Sequence, residues 1–215
     1  MKFLYIHIIA ILFLKLKKKS KNTIFSKNKS DKSGLWYSKR RNKKIFRHSY
    51  GEYYLKIFKD KKIKNFLEIG LGNNLDNIRP GGSIKAFKTI LPKTKFYGID
   101  ILDKKYFKNI DFKYFKIDQS KKKDLMNFIL MIKKKKIKFD VIIDDGSHKT
   151  KDQILTFNNL IKVLSDKGIY LIEDIRNEQL KIFHKFFEKK KYKVSFINFF
   201  LNENTYGNIL IRIEK

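Results

Sequence analysis

From residue 65 onward, short apolar runs alternate with longer stretches in which apolar positions recur every three or four residues. The short runs predict strands over residues 65–69, 95–100, 112–117, 139–144 and 168–173. The stretches between them predict helices over 83–91, 121–135, 151–164 and 177–190. Strand and helix in strict alternation is the rhythm of a parallel sheet covered on both faces. The tail departs from it. Residues 192–198 and 208–213 are both strand-like and are joined by 202–207 with no helix between them, which calls for an antiparallel hairpin. The expected fold is α/β: a doubly wound seven-stranded sheet, mostly parallel, closed by a C-terminal antiparallel pair.

The pattern is different before residue 48. Residues 1–14 are strongly apolar and are followed by Lys15, Lys17, Lys18 and Lys19. A membrane-spanning helix needs about 20 apolar residues, His7 interrupts this run, and no small-residue cleavage site follows. Residues 1–19 therefore leave three readings, a peripheral anchor with a basic flank, a partner-binding segment or an extension upstream of the true start, with peripheral contact or none favoured over a span and the cytoplasm as the expected location. Residues 20–47 are polar and basic with little periodicity and read as a flexible arm with local order near Trp36 and Tyr37. Residues 1–47 thus form an appendage, and the compact domain is expected over 48–215.

Composition adjusts this picture in two ways. With 42% hydrophobic and 15% aromatic residues the chain has enough apolar material to fold around one core. It has no cysteine, so any metal must be held by oxygen or imidazole, which favours a hard cation. The formal net charge of +30 would suit a polyanionic partner. However, the basic residues are overwhelmingly lysine spread over helices and loops, and Ile, Phe and Asn are equally swollen, as an A/T-rich coding sequence produces. Arginine, the better reader of bases and phosphates, is confined to Arg40, Arg41, Arg47, Arg79, Arg176 and Arg212. The charge therefore argues little for nucleic acid.

An open α/β sheet binds ligands beyond the carboxyl ends of its strands, and here each exit carries an acid. The first strand leaves through Glu68, Gly70 and Gly72, the second through Asp100, the third through Asp118 and Gln119, and the fourth through Asp144 and Asp145. A nicotinamide dinucleotide fingerprint requires a third glycine opening a helix at the pyrophosphate. Leu75 stands in that place, and a long excursion over residues 73–82 precedes the helix. An acid two residues before Gly70 and no pyrophosphate turn suit S-adenosylmethionine, whose sulfonium is cationic. Asp100 is then expected on the ribose hydroxyls, Asp118 and Gln119 near the adenine, and Glu68, Gly70 and Gly72 around the methionine portion. Ser83 and Asp144 complete the expected cofactor set.

Two further exits carry the chemistry. Asp144, Asp145 and His148 follow the fourth strand, and Glu173 and Asp174 follow the fifth. On adjacent strands Asp145, Glu173 and Asp174 would converge as an oxygen site for magnesium or another hard divalent cation. His148, one turn from Asp145, would act as the general base toward an acceptor hydroxyl.

At these residues the chain resembles the metal-dependent sugar O-methyltransferases of macrolide biosynthesis, of the mycinamicin and macrocin type, and related carbohydrate methyltransferases. The likeness runs through Ser30-Asp-Lys32, His48-Ser-Tyr50, Phe66-Leu-Glu-Ile-Gly70, Gly81-Gly-Ser-Ile84, Tyr97-Gly-Ile-Asp-Ile101, Asp118-Gln-Ser120, Ile143-Asp-Asp-Gly-Ser-His148 and Ile172-Glu-Asp174. The resemblance implies a Rossmann-like methyltransferase fold, a metal held by Asp145, Glu173 and Asp174 that chelates sugar hydroxyls, and His148 as base. It also suggests Tyr50, Tyr53 and Tyr54 on the acceptor side, with a packing role as the alternative. The expected activity is magnesium-assisted methyl transfer from S-adenosylmethionine to a sugar hydroxyl of a small-molecule glycoside or glycan, with the oligomeric state left open. Two other classes compete: an RNA methyltransferase, which predicts steep salt dependence, and a membrane-associated binding protein, which predicts no affinity for S-adenosylmethionine.

Overall fold

The apolar runs at the centre of the sheet become strands because they are buried on both faces, and their side chains alternate between two separate cores. In the computed structural model, which describes residues 38–40, 43–45, 50–72, 81–107, 110–199 and 209–215, seven strands make one sheet. They are β1 (Asn65–Ile69), β2 (Lys95–Asp100), β3 (Lys113–Lys116), β4 (Phe139–Asp144), β5 (Leu164–Ile175), β6 (Lys193–Asn198) and β7 (Ile209–Glu214). Their spatial order is β3-β2-β1-β4-β5-β7-β6. The first five are mutually parallel, while β7 runs antiparallel to both β5 and β6. The mixed, mostly parallel sheet with a terminal antiparallel pair is the expected one.

Among the described residues five α-helices cover it: α1 (Tyr50–Phe58), α2 (Gly82–Ile90), α3 (Lys122–Lys134), α4 (Thr150–Leu160) and α5 (Asn177–Glu188). On one face Leu67, Ile69, Ile142 and Ile172 pack with Phe128 of α3, Phe157 of α4 and Phe183 of α5. On the other, Phe66, Val141, Ile143 and Leu171 pack with Tyr54 and Phe58 of α1 and Phe87 of α2. Each fully buried ring of this kind contributes about 2 kcal/mol of transfer free energy. The order of strands reverses between β1 and β4, so the carboxyl ends of these two neighbours frame the crevice where such sheets bind ligands.

Several boundaries differ from expectation. β5 starts at Leu164 rather than residue 168, because a register shift lets Leu164 pair with Phe139 before Ile169 pairs with Val141. Ser165, Asp166 and Lys167 are not buried, so nothing in their polarity announces a strand. Correspondingly α4 ends at Leu160 and the chain passes through a single 3-10 turn, Ile161–Val163. Helix α1 was not among the expected elements, although Tyr50, Tyr54 and Phe58 lie on one face at four-residue spacing. Within the basic arm, residues 38–40 pair antiparallel with 43–45. Residues 1–37, with Trp36 and Tyr37, and the excursion 73–80, with Leu75 and Asp76, lie outside the described residues, as does His48. Among the described residues no helix is long and apolar enough to cross a membrane.

Candidate active site

The exit of β1 is built around a turn that needs glycine. Gly70 has φ 79°, and a Cβ there would run into the carbonyl of Asp145 in the adjacent loop. That close approach is fixed from both sides. The Gly70 amide donates to Ile99 O at 3.0 Å, and the Asp145 amide donates to Ile69 O at 2.9 Å. Gly72 is also left-handed at φ 101°. Glu68 is buried on the face covered by α2, where the Ser83 hydroxyl donates to its Oε1. Asp100, at the end of β2, accepts the Leu71 amide on Oδ2 at 2.6 Å and the Leu102 amide on Oδ1 at 2.9 Å. One carboxylate thereby joins the β1 loop to the β2 loop.

At the third exit the two expected residues part company. Asp118 is half-buried and turns on its own loop, accepting the Ser120 amide at 3.0 Å and hydroxyl at 2.6 Å, with Lys121 Nζ at 3.4 Å. The Ser120 hydrogen bond, aided by Lys121, holds its carboxyl below the usual range. Gln119 points inward instead. Its Nε2 donates to Asp144 Oδ1 and to Thr156 Oγ1, both at 3.2 Å, and its Oε1 accepts the Ser147 amide at 2.7 Å. Asp144 is fully buried, so burial pushes its carboxyl up to about 7, against the hydrogen bonds from Gln119 and the Gly146 amide. It faces α4 and Gln119 and is not open to a ligand.

Asp145, one residue on, emerges on the opposite side. There Asp145, His148 and Asp174 bring one donor atom each to within 4.8 Å of one another. His148 Nε2 lies 3.9 Å from Asp145 Oδ1 and 3.8 Å from Asp174 Oδ2. The imidazole and the Asp174 carboxylate keep 29% and 21% of their side-chain surface exposed, so the group opens outward. His148 and Asp174 both have positive φ, 57° and 56°, in the left-handed region where non-glycine residues are uncommon and concentrate at functional sites. The strained His148 is braced from α5. Gln179 Nε2 donates to the His148 carbonyl at 3.0 Å and to Thr150 Oγ1 at 2.8 Å, and its Oε1 takes the Arg176 amide at 2.8 Å.

Glu173 sits deeper. It is buried, its backbone carbonyl accepts Gln153 Nε2 at 3.2 Å, and its Oε1 accepts the hydroxyl of Tyr54. Burial, and then the negative charges of Asp145 and Asp174, push its carboxyl well up from the ordinary range. Tyr50, fully buried like Tyr54, donates to Asp174 Oδ1 at 3.3 Å. Sequence reasoning grouped Asp145, Glu173 and Asp174 as ligands with His148 as a separate base. The tight group among the described residues is Asp145, His148 and Asp174, with Glu173 behind it. Tyr50 and Tyr54 have no exposed surface and face the acids from below, so they do not line an open acceptor pocket. Gln179 and Gln153 were missed. A glutamine has no signature in sequence, and only the fold brings these two beside the loops they hold.

No protein-family model matches the chain. It is similar to the mycinamicin VI 2''-O-methyltransferase of Micromonospora griseorubida, 30% identical over 132 residues, which is 60% of this chain and 32% of that protein. It is similar also to the 8-demethyl-8-(2-methoxy-alpha-L-rhamnosyl)-tetracenomycin-C 3'-O-methyltransferase of Streptomyces olivaceus, 27% identical over 150 residues, 70% of this chain and 35% of that protein. The chain spans about a third of the length of these curated relatives. Among solved structures, the MycE methyltransferase of the mycinamycin biosynthetic pathway, determined with magnesium and S-adenosylhomocysteine, superposes with a TM-score of 0.60 at 21% identity, over 78% of this chain and 49% of that one. An O-methyltransferase from Bacillus cereus, determined with S-adenosylhomocysteine, gives 0.54 at 12% identity over 78% and 81% of the two chains. These likenesses establish the Rossmann-like methyltransferase fold.

Proposed function

We propose that the protein is an S-adenosylmethionine-dependent O-methyltransferase, assisted by magnesium or another hard divalent cation, that acts on a sugar hydroxyl of a small-molecule glycoside or surface carbohydrate. The observation that carries this reading is the convergence of Asp145, His148 and Asp174, with the Asp145 backbone packed against the Gly70 turn. The named activities of the curated relatives, which are methylations of sugar hydroxyls on polyketide glycosides, support the same class of acceptor.

The residues fit both groups. Two carboxylates and an imidazole within 4.8 Å, in a chain with 21 acids against 51 basic residues, form a donor set suited to a hard cation with water or hydroxyls completing its shell. Asp145 and Asp174 would hold the cation, with Glu173 behind them. When bound, it supplies charge neutralisation at vicinal hydroxyls of the acceptor and fixes their orientation. Glu68, Gly70, Gly72, Ser83, Asp100, Asp118 and Gln119 line or support the crevice assigned to the cofactor, with Asp144 holding Gln119 from behind. As base, His148 Nε2 would take the proton from the acceptor hydroxyl, and S-adenosylmethionine, held in the crevice, would supply the methyl group and leave as S-adenosylhomocysteine. Holding the nucleophile in line with the methyl is most of the remaining catalytic work.

The clustering also favours a second role for His148, as a ligand to the cation. His148→Asn separates the two. A base predicts methylation lost with cation affinity kept, and a ligand predicts both lost. The class itself is tested by calorimetric titration with S-adenosylmethionine, with and without magnesium, followed by methylation of glycosides before and after EDTA. Absence of cofactor binding refutes the methyltransferase reading, and undiminished activity in metal-stripped protein refutes the cation.

A further inference from the structure

Helix α1 carries two tyrosines four residues apart, and both are completely buried. Their hydroxyls go to consecutive acids at the end of β5: Tyr54 donates to Glu173 and Tyr50 to Asp174, the latter at 3.3 Å. The Asp174 amide in turn donates to the Tyr50 hydroxyl at 3.4 Å, so that one phenol both gives to and receives from the residue it holds. Packing alone would have been served by phenylalanine. The Tyr54 ring stacks on Phe58 at 5.6 Å and 8° and meets Phe87 at 5.5 Å, contacts a phenylalanine would keep. What the hydroxyls add is a fixed donor to each of two crowded carboxylates. Glu173 is buried near Asp145 and Asp174, and a carboxylate in that position is costly without donors aimed at it.

Resting on the cation reading above, we propose that Tyr50 and Tyr54 are positioning residues for the cation site: α1 is the platform that aims Glu173 and Asp174, and cation binding is coupled to the seating of α1. The physical basis is linkage through shared partners. Groups that orient a metal's ligands from behind typically change its affinity 10- to 100-fold when removed. Conversely, a cation that draws the acids together steadies the partners of the two phenols, and with them the helix.

The test uses the whole chain and Mn2+ as the probe, followed by the electron paramagnetic resonance of the free ion, with no acceptor or turnover required. Tyr54→Phe is expected to weaken Mn2+ binding about 10-fold and Tyr50→Phe about 5-fold. Tyr97→Phe, a buried tyrosine on the other core, is expected to bind like the wild type. All three variants should fold without metal, since each ring is kept, with Tyr54→Phe and Tyr50→Phe melting below Tyr97→Phe because each leaves an acid without its donor. Hydrogen exchange on the unmutated protein supplies a second measurement that depends on no variant: amides of residues 50–58 should slow on adding Mn2+. Equal Mn2+ affinities for Tyr54→Phe, Tyr50→Phe and wild type, or unchanged exchange in α1 at saturating Mn2+, would overturn the proposal while leaving the cation site standing. A wild-type chain that binds no Mn2+ overturns both.

Discussion

Asp144 and Asp145 are neighbours in sequence with the same side chain, and they end on opposite sides of the sheet in opposite kinds of environment. Asp144 closes a knot whose other members are neutral: the Gln119 amide, the Thr156 hydroxyl and the Gly146 amide. Asp145 joins a group whose other members are ionisable, with Asp174 and His148 in the cluster and Glu173 behind. Asp144 Oδ1 is met by neutral donors from the protein, and burial pushes its carboxyl up to about 7. Acids set against acids raise one another's carboxyls, as Asp145 and Asp174 do for Glu173, and a bound proton or cation lowers that repulsion. The first arrangement holds loops in place, and the second is the one we propose takes the cation.

The largest effect expected from this contrast is at Asp145. Asp145→Asn keeps the shape and removes the charge, and should weaken Mn2+ or Mg2+ binding by more than about 100-fold, beyond the loss expected from a residue that only orients a ligand. Glycoside methylation should vanish with it. Calorimetry on the folded variant checks the first, and an affinity within about tenfold of the wild type would remove Asp145 from the site.

Gly70→Ala attacks the seam between the two regions, since the new methyl meets the Asp145 carbonyl at a positive φ. Left-handed strain and overpacking together should cost about 3 kcal/mol, read as a lowered urea midpoint with unchanged slope. Stability within about 0.5 kcal/mol of the wild type would mean that the loop has room to move and is not held against β4.

Gln119→Leu acts on the neutral knot. It deprives Asp144 and Thr156 of a donor and the Ser147 amide of its acceptor. Leaving such groups unpaired should lower stability by about 2 kcal/mol, with a secondary loss of cofactor affinity because the loop leading to His148 is loosened. If denaturant melts show no loss, the knot is not the brace described.

How far these positions could be read from the sequence differs between the two regions for a physical reason. Strands β1, β2 and β4 were placed to the residue, since a short apolar run bounded by polar residues is visible without the fold. The exits followed, because an acid at the end of every parallel strand needs only the alternation of elements to be noticed. What a strand's end does with its last side chain was not visible. Whether residue 144 or 145 faces the crevice depends on the parity of β4 within the sheet, and both acids were assigned as ligand-binding. The same parity puts Glu173 on the α1 face and sends Asp174, at a left-handed φ, to His148. Helix α1 was overlooked although its aromatic spacing was present, and the tyrosine side of the site went with it. Residues that brace others through a glutamine amide, as Gln179 does for His148, declare nothing in sequence.

The smallest effect is the most discriminating. Asp144→Asn keeps an acceptor for Gln119 Nε2 and the Gly146 amide, and it places an NH2 where Asp144 Oδ2 has no hydrogen-bond partner among the described residues. The exchange removes the cost of burying a charge and keeps the shape, so stability should change by less than about 1 kcal/mol. Cation affinity should stay within about twofold, against the more than 100-fold loss at the adjacent residue. Cofactor affinity decides what remains of the sequence assignment. If Asp144 only holds Gln119, S-adenosylmethionine should bind Asp144→Asn nearly as well as the wild type. A tenfold weakening in the same titration would instead return Asp144 to the cofactor site and show that the knot opens when ligand enters.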